Sequence, residues 1–240
     1  MVVKYNITMI DAHCHLYEIE EGGWMDNGLE AMICCGSGTK NSQESVELAR
    51  KYANVYATVG VHPENISDRD EGKLLELAKD KKVVAIGECG LDSESEAEVE
   101  LFKFNIGLAQ KTGLPLVVHC RGMFEKVFEI LDYDRAQMHC FTGNMAQMEE
   151  CVRRGWYISL GGILTFKKSE YLREVAKIVP EDRLLTETDA PYLAPEPVRG
   201  SRNIPGNVKY VVDCLAGIRG KSVEYMDQVT SENARRLFNI

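Results

Sequence analysis

Short apolar runs and amphipathic stretches alternate along most of the chain, and this alternation restricts the fold more than any other feature. The apolar runs have the length of buried strands and lie near residues 7–11, 30–34, 55–61, 83–88, 115–119, 136–140, 157–160 and 183–187. Segments between them, such as SQESVELARKYA, EAEVELFKFNIGLAQKT and SEYLREVAKIV, have the apolar spacing of helices. Eight strands that alternate with helices predict an α/β fold of the TIM type, a (β/α)8 barrel.

An open, doubly wound parallel sheet is the alternative to a barrel. It is disfavoured because no G-x-G-x-x-G turn opens a helix after the first strand. The tail from 203 to 240 should add two or three helices, and Thr230 or Ser231 could cap the last of them at its N-terminus. Because no boundary divides the chain, we expect one barrel domain over residues 1–240.

Composition limits the location and partners of the protein. Hydrophobic residues make up 45% of the 240 residues and charged residues 27%, as in ordinary globular domains. No apolar run approaches the roughly 20 residues that cross a bilayer, and the N-terminus lacks the pattern of a signal peptide. We therefore expect a cytoplasmic protein with no membrane association and no obligate protein partner. Because the formal net charge is -9, nucleic acid would have to bind through a local basic patch or through metal ions.

Six histidine and carboxylate residues stand at the ends of the apolar runs. The carboxyl ends of barrel strands meet at one mouth, and nitrogen and carboxylate ligands there are typical of a metal centre. The candidate ligands are His13, His15, Glu88, His119, His139 and Asp189. Six ligands suit two divalent ions, with Glu88 shared between them because a carboxylate can bridge. Nitrogen-rich coordination favours zinc, manganese, iron or nickel over calcium and leaves magnesium less favoured.

Other residues near these runs suggest catalytic and substrate-binding roles. Asp189 is placed to act as a general base as well as a ligand, Glu88 is its catalytic partner at the metals, and Glu187 is a supporting residue. His62, in TVGVHPE, is predicted to contact substrate or phosphate. The basic residues of the predicted mouth loops are Arg121, Lys167, Lys168, Arg199 and Arg202, and among them Arg121 and Arg202 are the predicted substrate contacts.

Four of the eight cysteines directly follow a candidate ligand: Cys14, Cys89, Cys120 and Cys140. Neighbouring side chains in a strand point to opposite faces, so a ligand at the barrel mouth turns the next residue away from it. We therefore expect these cysteines to be buried reduced thiols rather than ligands. No cysteine forms a C-x-x-C pair, which makes a zinc-finger interpretation weak.

In their order along the chain, these motifs resemble the TatD-type deoxyribonuclease family of metal-dependent hydrolases. The resemblance runs from IDAHCHL through VGVHPE, AIGECGLD, LPLVVHCR, MHCFTG and LLTETDAPYLAP to TSENARRLF. It implies a barrel that holds two divalent ions (Zn, Mn or Mg) and cleaves phosphodiester bonds, mainly from the 3′ end of single-stranded nucleic acid. By analogy, one ion would be held by His13, His15, Glu88 and Asp189, and the second by Glu88, His119 and His139.

The loop after GECGLD departs from this pattern. Similar sequences often continue with two aromatic residues and a longer loop, whereas this chain continues with the acidic SESEAEVE. Aromatic rings commonly hold single-stranded bases by stacking, so the departure weakens the expectation of strong nucleic-acid binding.

Two other interpretations remain open from the sequence. A metal-dependent amidohydrolase or lactonase could use the same ligands on a small carbonyl substrate, although those enzymes often have a bridging carboxylated lysine where this chain has Glu88. A purely structural metal site is disfavoured because such sites usually close with about four ligands, often cysteines.

Overall fold

The computed structural model describes residues 9–25 and 27–240, and eight parallel strands form its centre. The strands pair in chain order, from the first to the eighth. A bridge between Cys14 and Ala190 joins the two ends of the sheet, so the predicted TIM-type barrel is confirmed. The strands are β1 Ile10–Cys14, β2 Ala31–Cys35, β3 Val55–Val59, β4 Val83–Leu91, β5 Leu116–Cys120, β6 Ala136–Met138, β7 Tyr157–Leu160 and β8 Leu184–Thr186.

Helices follow every strand except the first. The connection between β1 and β2 contains two 3-10 turns, Leu16–Glu18 and Glu21–Gly23. The helices are α1 Thr39–Lys51, α2 Glu71–Leu77, α3 Glu96–Thr112, α4 Phe124–Ile130, α5 Met145–Arg153, α6 Glu170–Ile178, α7 Val208–Arg219 and α8 Val223–Phe238. Within the described ranges, none of these helices is long and apolar enough to cross a membrane.

Local sequence signals explain where several helices begin and end. The Ser95 hydroxyl accepts the backbone N–H of Glu98 at 3.4 Å and begins α3, and Gly113, with φ of 71°, ends it. Asn144 and Gln147 form a reciprocal capping box at the start of α5.

Two predicted features are wrong in position. The first strand covers 10–14 rather than 7–11, and residues 7 and 8 of that prediction lie outside the described residues. Thr230 and Ser231 do not begin a helix, because α8 runs unbroken through them from its cap at Ser222. Their hydroxyls donate to Met226 O and Asp227 Oδ1 one turn back. A hydroxyl residue can satisfy its side chain within a helix in this way, so the local capping signal was misleading.

The core packs tightly around the strand that carries Glu88. All nine residues of β4 are buried. A Cβ atom on Gly90, whose φ is 147°, would lie 1.8 Å from the carbonyl oxygen of His119. Only glycine allows β4 and β5 to approach this closely. All eight cysteines are free thiols, and Cys14, Cys89 and Cys120 are buried in the apolar core, whereas Cys140 is partly exposed.

Candidate metal centre and active site

Four side chains from three distant parts of the chain meet at the carboxyl end of the barrel. The Nε2 atoms of His13 and His15 lie 3.2 Å apart, and each is 3.4 Å from Oε2 of Glu88. Oδ1 of Asp189 lies 3.6 Å from the His13 nitrogen and 3.5 Å from the His15 nitrogen. Four ligands placed about 2.1 Å from one zinc ion in tetrahedral geometry stand about 3.4 Å apart. The five separations from the two histidine nitrogens therefore match the spacing of one metal site.

The other oxygen of Glu88 faces a second group of histidines. Its Oε1 lies 3.1 Å from Nδ1 of His119 and 3.1 Å from Nε2 of His139. Glu88 thus presents one oxygen to each group, which is the arrangement that a bridging carboxylate needs. Glu88 and His139 are buried and His119 is half-buried.

Hydrogen bonds on the outer side of three histidines set which ring nitrogen carries the proton. Nδ1 of His15 donates to the carbonyl oxygen of Cys35 at 3.0 Å, and Nε2 of His119 donates to Oδ1 of Asp92 at 2.9 Å. Nδ1 of His139 donates to Oε1 of Glu187 at 2.9 Å. The opposite nitrogen of each neutral ring therefore turns a lone pair toward the carboxylates.

Lone pairs and carboxylate oxygens at such short separations repel one another unless cations lie between them or protons bridge them. The residues consequently fit divalent ions, and both clusters can hold them. The outer nitrogen of His13 differs, because its Nδ1 is buried and has no hydrogen-bond partner among the described residues.

Without ions, the same charges shift several pKa values. Burial would raise the pKa of Glu88, but His139 and His13 hold that pKa well below its usual value. Burial would lower the pKa of His139, yet the Glu187 and Glu88 carboxylates raise it well above the ordinary value. Burial would also raise the pKa of Asp189, but the hydrogen bond from His15 and the charges of His139 and His13 together outweigh burial, so that pKa falls. The carboxylates thus stay ionised and attract positive charge.

A cavity of about 560 Å³ opens onto both clusters. Its wall includes Glu88, Asp189 and His62 together with Tyr17, Arg121 and Tyr192. Nδ1 of His62 accepts the N–H of Glu64 at 3.1 Å, so the neutral ring has its proton on Nε2. That Nε2 lies 3.6 Å from Oε1 of Glu88. His62 therefore presents a hydrogen-bond donor to the cavity, unlike His15, His119 and His139.

Of the basic residues predicted to lie in the mouth loops, Arg121 lines the cavity and the others do not. Arg121 lines the cavity, its side chain is 69% exposed, and its Nε lies 3.3 Å from Asp92. Arg202 does not line the cavity, and its guanidinium donates to the carbonyl oxygen of Glu18. Lys167 and Lys168 are exposed beyond the cavity wall.

Four supporting residues were not identified from the sequence alone. Asp92 directly follows the last residue of β4 and accepts from His119. The sequence signal for it is its place at the end of a strand, but the apolar run predicted that strand to end near residue 88. Asp11 lies two residues before His13, and its carboxylate accepts from the N–H and the hydroxyl of Thr188. Tyr17 and Tyr192 line the cavity from loops far apart in sequence, for which no local pattern exists.

The sequence model of the protein family described as TatD related DNase matches residues 10–239 of this chain. The chain belongs to this family. It is 37% identical to the uncharacterized metal-dependent hydrolase YabD of Bacillus subtilis, over 97% of this chain and 99% of that protein. It is 34% identical to the 3′-5′ ssDNA/RNA exonuclease TatD of Escherichia coli K12, over 90% of each protein. The family membership and metal-dependent hydrolase class expected from the motifs are confirmed.

Solved structures agree with this assignment. The crystal structure of the TatD homolog YJJV from Escherichia coli K12 matches with a TM-score of 0.88 and 28% identity, covering 98% of this chain and 99% of that one. A dihydroorotase matches with a TM-score of 0.68 at 17% identity, and a lactonase matches with 0.63 at 16%. At such low identity these two structures share the fold and say nothing about the substrate of this chain.

Proposed function

We propose that this protein of the TatD family is a metal-dependent exonuclease that removes nucleotides from the 3′ ends of single-stranded DNA or RNA. The observation that supports this proposal most directly is the position of Glu88. Its two oxygens face two separate histidine groups in a cavity large enough for a small ligand. Relatives with the exonuclease name match about nine-tenths of the chain.

We assign two divalent ions to the two groups, with zinc, manganese or magnesium as the candidates. His13, His15, Glu88 and Asp189 would hold one ion, and Glu88, His119 and His139 would hold the other. When bound, such ions lower the pKa of water and neutralise charge on phosphoryl oxygens.

The protein's own residues would orient the phosphate and move the proton. Asp189 lines the cavity and stays ionised, so its carboxylate can accept a proton from the attacking water. The Nε2–H of His62 can donate to a phosphoryl oxygen that replaces Glu88 Oε1 as its neighbour. Arg121 lines the cavity with its Nε 3.3 Å from Asp92, and a guanidinium suits phosphate geometry. Arg202 stays a candidate contact only for substrate outside the cavity.

Tyr192 would supply the aromatic surface that the loop after GECGLD lacks. Its side chain is 49% exposed, its ring centroid lies 6.0 Å from that of His15, and its hydroxyl donates to Glu18 at 2.6 Å. A ring held at the cavity mouth in this way can stack on the terminal base.

The test is release of nucleotides from single-stranded DNA and RNA, labelled at either end, with Zn²⁺, Mn²⁺ or Mg²⁺ and with chelator as the control. We expect metal-dependent shortening from the 3′ end by the wild type and loss of it in Glu88→Gln. Glu149→Gln, an exposed change on α5 with the same chemistry, should leave the rate unchanged. A folded, metal-loaded wild type that shortens neither polymer would contradict the proposal. A single functional unit over residues 1–240 and a cytoplasmic location stay predictions.

A further inference from the structure

The loops that follow β7 and β8 pack together beside the cavity. We call residues 162–168 and 193–199 the β7–β8 ledge. A Cβ atom on Gly162 would lie 2.0 Å from the carbonyl oxygen of Leu193, and the N–H of Glu196 donates to Oγ1 of Thr165 at 2.9 Å. Because Leu193 also lines the cavity, the ledge continues the cavity wall outward.

The ledge is held in shape by Arg173 of α6. Its Nη1 donates to the carbonyl oxygens of Leu164 at 3.2 Å and Phe166 at 2.8 Å, and its Nη2 donates to that of Lys167 at 3.2 Å. The backbone that carries Lys167 and Lys168 is therefore fixed before any ligand arrives, which reduces the entropy lost on binding.

Three cationic side chains of the ledge are available to a ligand. Lys167 and Lys168 are exposed, and the Arg199 guanidinium lies over the Phe166 ring at 4.0 Å. Within residues 9–25 and 27–240, none of these three cations forms an ion pair with a carboxylate. Arg121 differs in this respect, since its Nε is 3.3 Å from Asp92.

The opposite side of the cavity mouth carries negative charge. Glu64 and Glu94 are exposed on the loops after β3 and β4, which lie across the barrel from β7 and β8, and Glu64 lines the cavity itself. A polyanion approaching from that side meets like charge, whereas one leaving over the ledge meets three cations and a single carboxylate, that of Glu196. The two sides of the mouth are thus electrostatically different.

We propose that the β7–β8 ledge binds the backbone phosphates of the single-stranded nucleic acid whose terminal nucleotide occupies the cavity. This inference rests on the proposed exonuclease function and adds the direction in which the polymer leaves the site. Lys167 and Lys168 neutralise phosphates and release their counterions, and Arg199 contributes a third charge beside an aromatic ring. The ledge therefore contributes to binding of long substrates and not to cleavage itself.

The test compares Lys167→Ala/Lys168→Ala with Lys79→Ala/Lys81→Ala, which removes the same charge from the turn between α2 and β4 at the opposite end of the barrel. Binding of a fluorescent single strand of about 20 nucleotides is measured by anisotropy over a range of salt concentrations. We expect the ledge variant to bind about 10-fold more weakly. We define the salt slope as the steepness with which the logarithm of the binding constant falls against the logarithm of salt concentration, and we expect it to decrease by about 0.7 for each phosphate that the protein no longer neutralises. Hydrolysis of a dinucleotide should be unchanged.

Two results separate this inference from the proposed function. If the wild type shortens nucleic acid but the ledge variant has the salt slope of the control, the ledge proposal is wrong and the exonuclease proposal stands. If the wild type binds the strand with a slope that falls in the ledge variant but releases no nucleotide, the exonuclease proposal is wrong and the ledge still binds nucleic acid. Equal melting temperatures of the variants establish that both are folded.

Discussion

Asp11 and Thr188 join the first strand to the segment that follows the last strand, behind the candidate metal centre. The N–H of Thr188 donates to Oδ1 of Asp11 at 2.8 Å, and its hydroxyl donates to Oδ2 at 2.5 Å. Thr188 is followed by Asp189, whose own N–H donates to the carbonyl oxygen of His13 at 2.9 Å. The buried Asp11 carboxylate therefore sets the path of the segment that presents Asp189 to the histidines.

We expect Asp11→Ala to reduce turnover about 10- to 100-fold, because outer partners of metal ligands typically contribute that much. The variant should also lose about 2 kcal/mol of unfolding free energy, since two donors of Thr188 are left unsatisfied. Asp11→Asn should be milder, because its amide still offers one acceptor. Urea unfolding and steady-state rates measure both effects, with exposed Asp132→Ala as the control. Equal rates in all variants would show that Asp11 has no influence on Asp189.

Removal and return of metal should reveal the role of Glu187. This buried carboxylate accepts from Nδ1 of His139 and from the N–H of Cys140 at 2.7 Å, and also from Gln137 and Ser159. In Glu187→Gln we expect affinity for divalent ions to fall about 10- to 100-fold. The melting temperature of chelator-treated protein, titrated with Mn²⁺ or Zn²⁺, measures this affinity because ligand that binds only the folded state stabilises it. Glu149→Gln should titrate like the wild type, and an equal titration by Glu187→Gln would count against the predicted role.

The two nitrogens of His62 have different partners, and a substitution can keep the acceptor at Nδ1 while it removes the donor at Nε2. Asparagine can retain an acceptor for the N–H of Glu64 but lacks a donor at the position of Nε2. A hydrogen bond to a charged acceptor contributes about 1.5–3 kcal/mol, so we expect His62→Asn to lower kcat/KM about 10- to 100-fold at an unchanged melting temperature. If only the melting temperature fell, His62 would serve the turn at Pro63–Asn65 and not the substrate.

Tyr192 allows the ring and the hydroxyl to be tested independently. Tyr192→Phe keeps the ring and removes the hydrogen bond to Glu18, whereas Tyr192→Ala removes both. Because stacking on a base contributes about 1–3 kcal/mol, we expect KM for single strands to rise about 10-fold or more in the alanine variant and little in the phenylalanine variant. Similar KM values for all three proteins would exclude stacking at this position.

Two glycines make a matched test of the packing at β4. Gly90→Ala would place Cβ against the His119 carbonyl oxygen at a φ of 147°, whereas Gly107→Ala meets nothing within 4 Å on α3. We expect the first change to cost more than about 3 kcal/mol of unfolding free energy, or to prevent folding. The second should be neutral or stabilising by up to about 1 kcal/mol. Urea unfolding measures the unfolding free energy of both variants. Equal values would mean that β4 and β5 can move apart without loss of stability.

The sequence by itself determined the fold class and identified the six residues that meet at the barrel mouth. Alternation of apolar runs and helical stretches is local, and parallel strands that close a barrel must bring their carboxyl ends together. His13 and His15 could be placed on one face because two residues are the repeat of a strand.

Only the tertiary structure decided which nitrogen of each histidine faces inward, since that depends on acceptors such as Asp92 and Glu187, which lie 27 and 48 residues from His119 and His139. The same is true of Tyr192 at the cavity and of Arg202 outside it. Their positions follow from how long loops pack on one another, and no periodic pattern along the chain encodes such contacts.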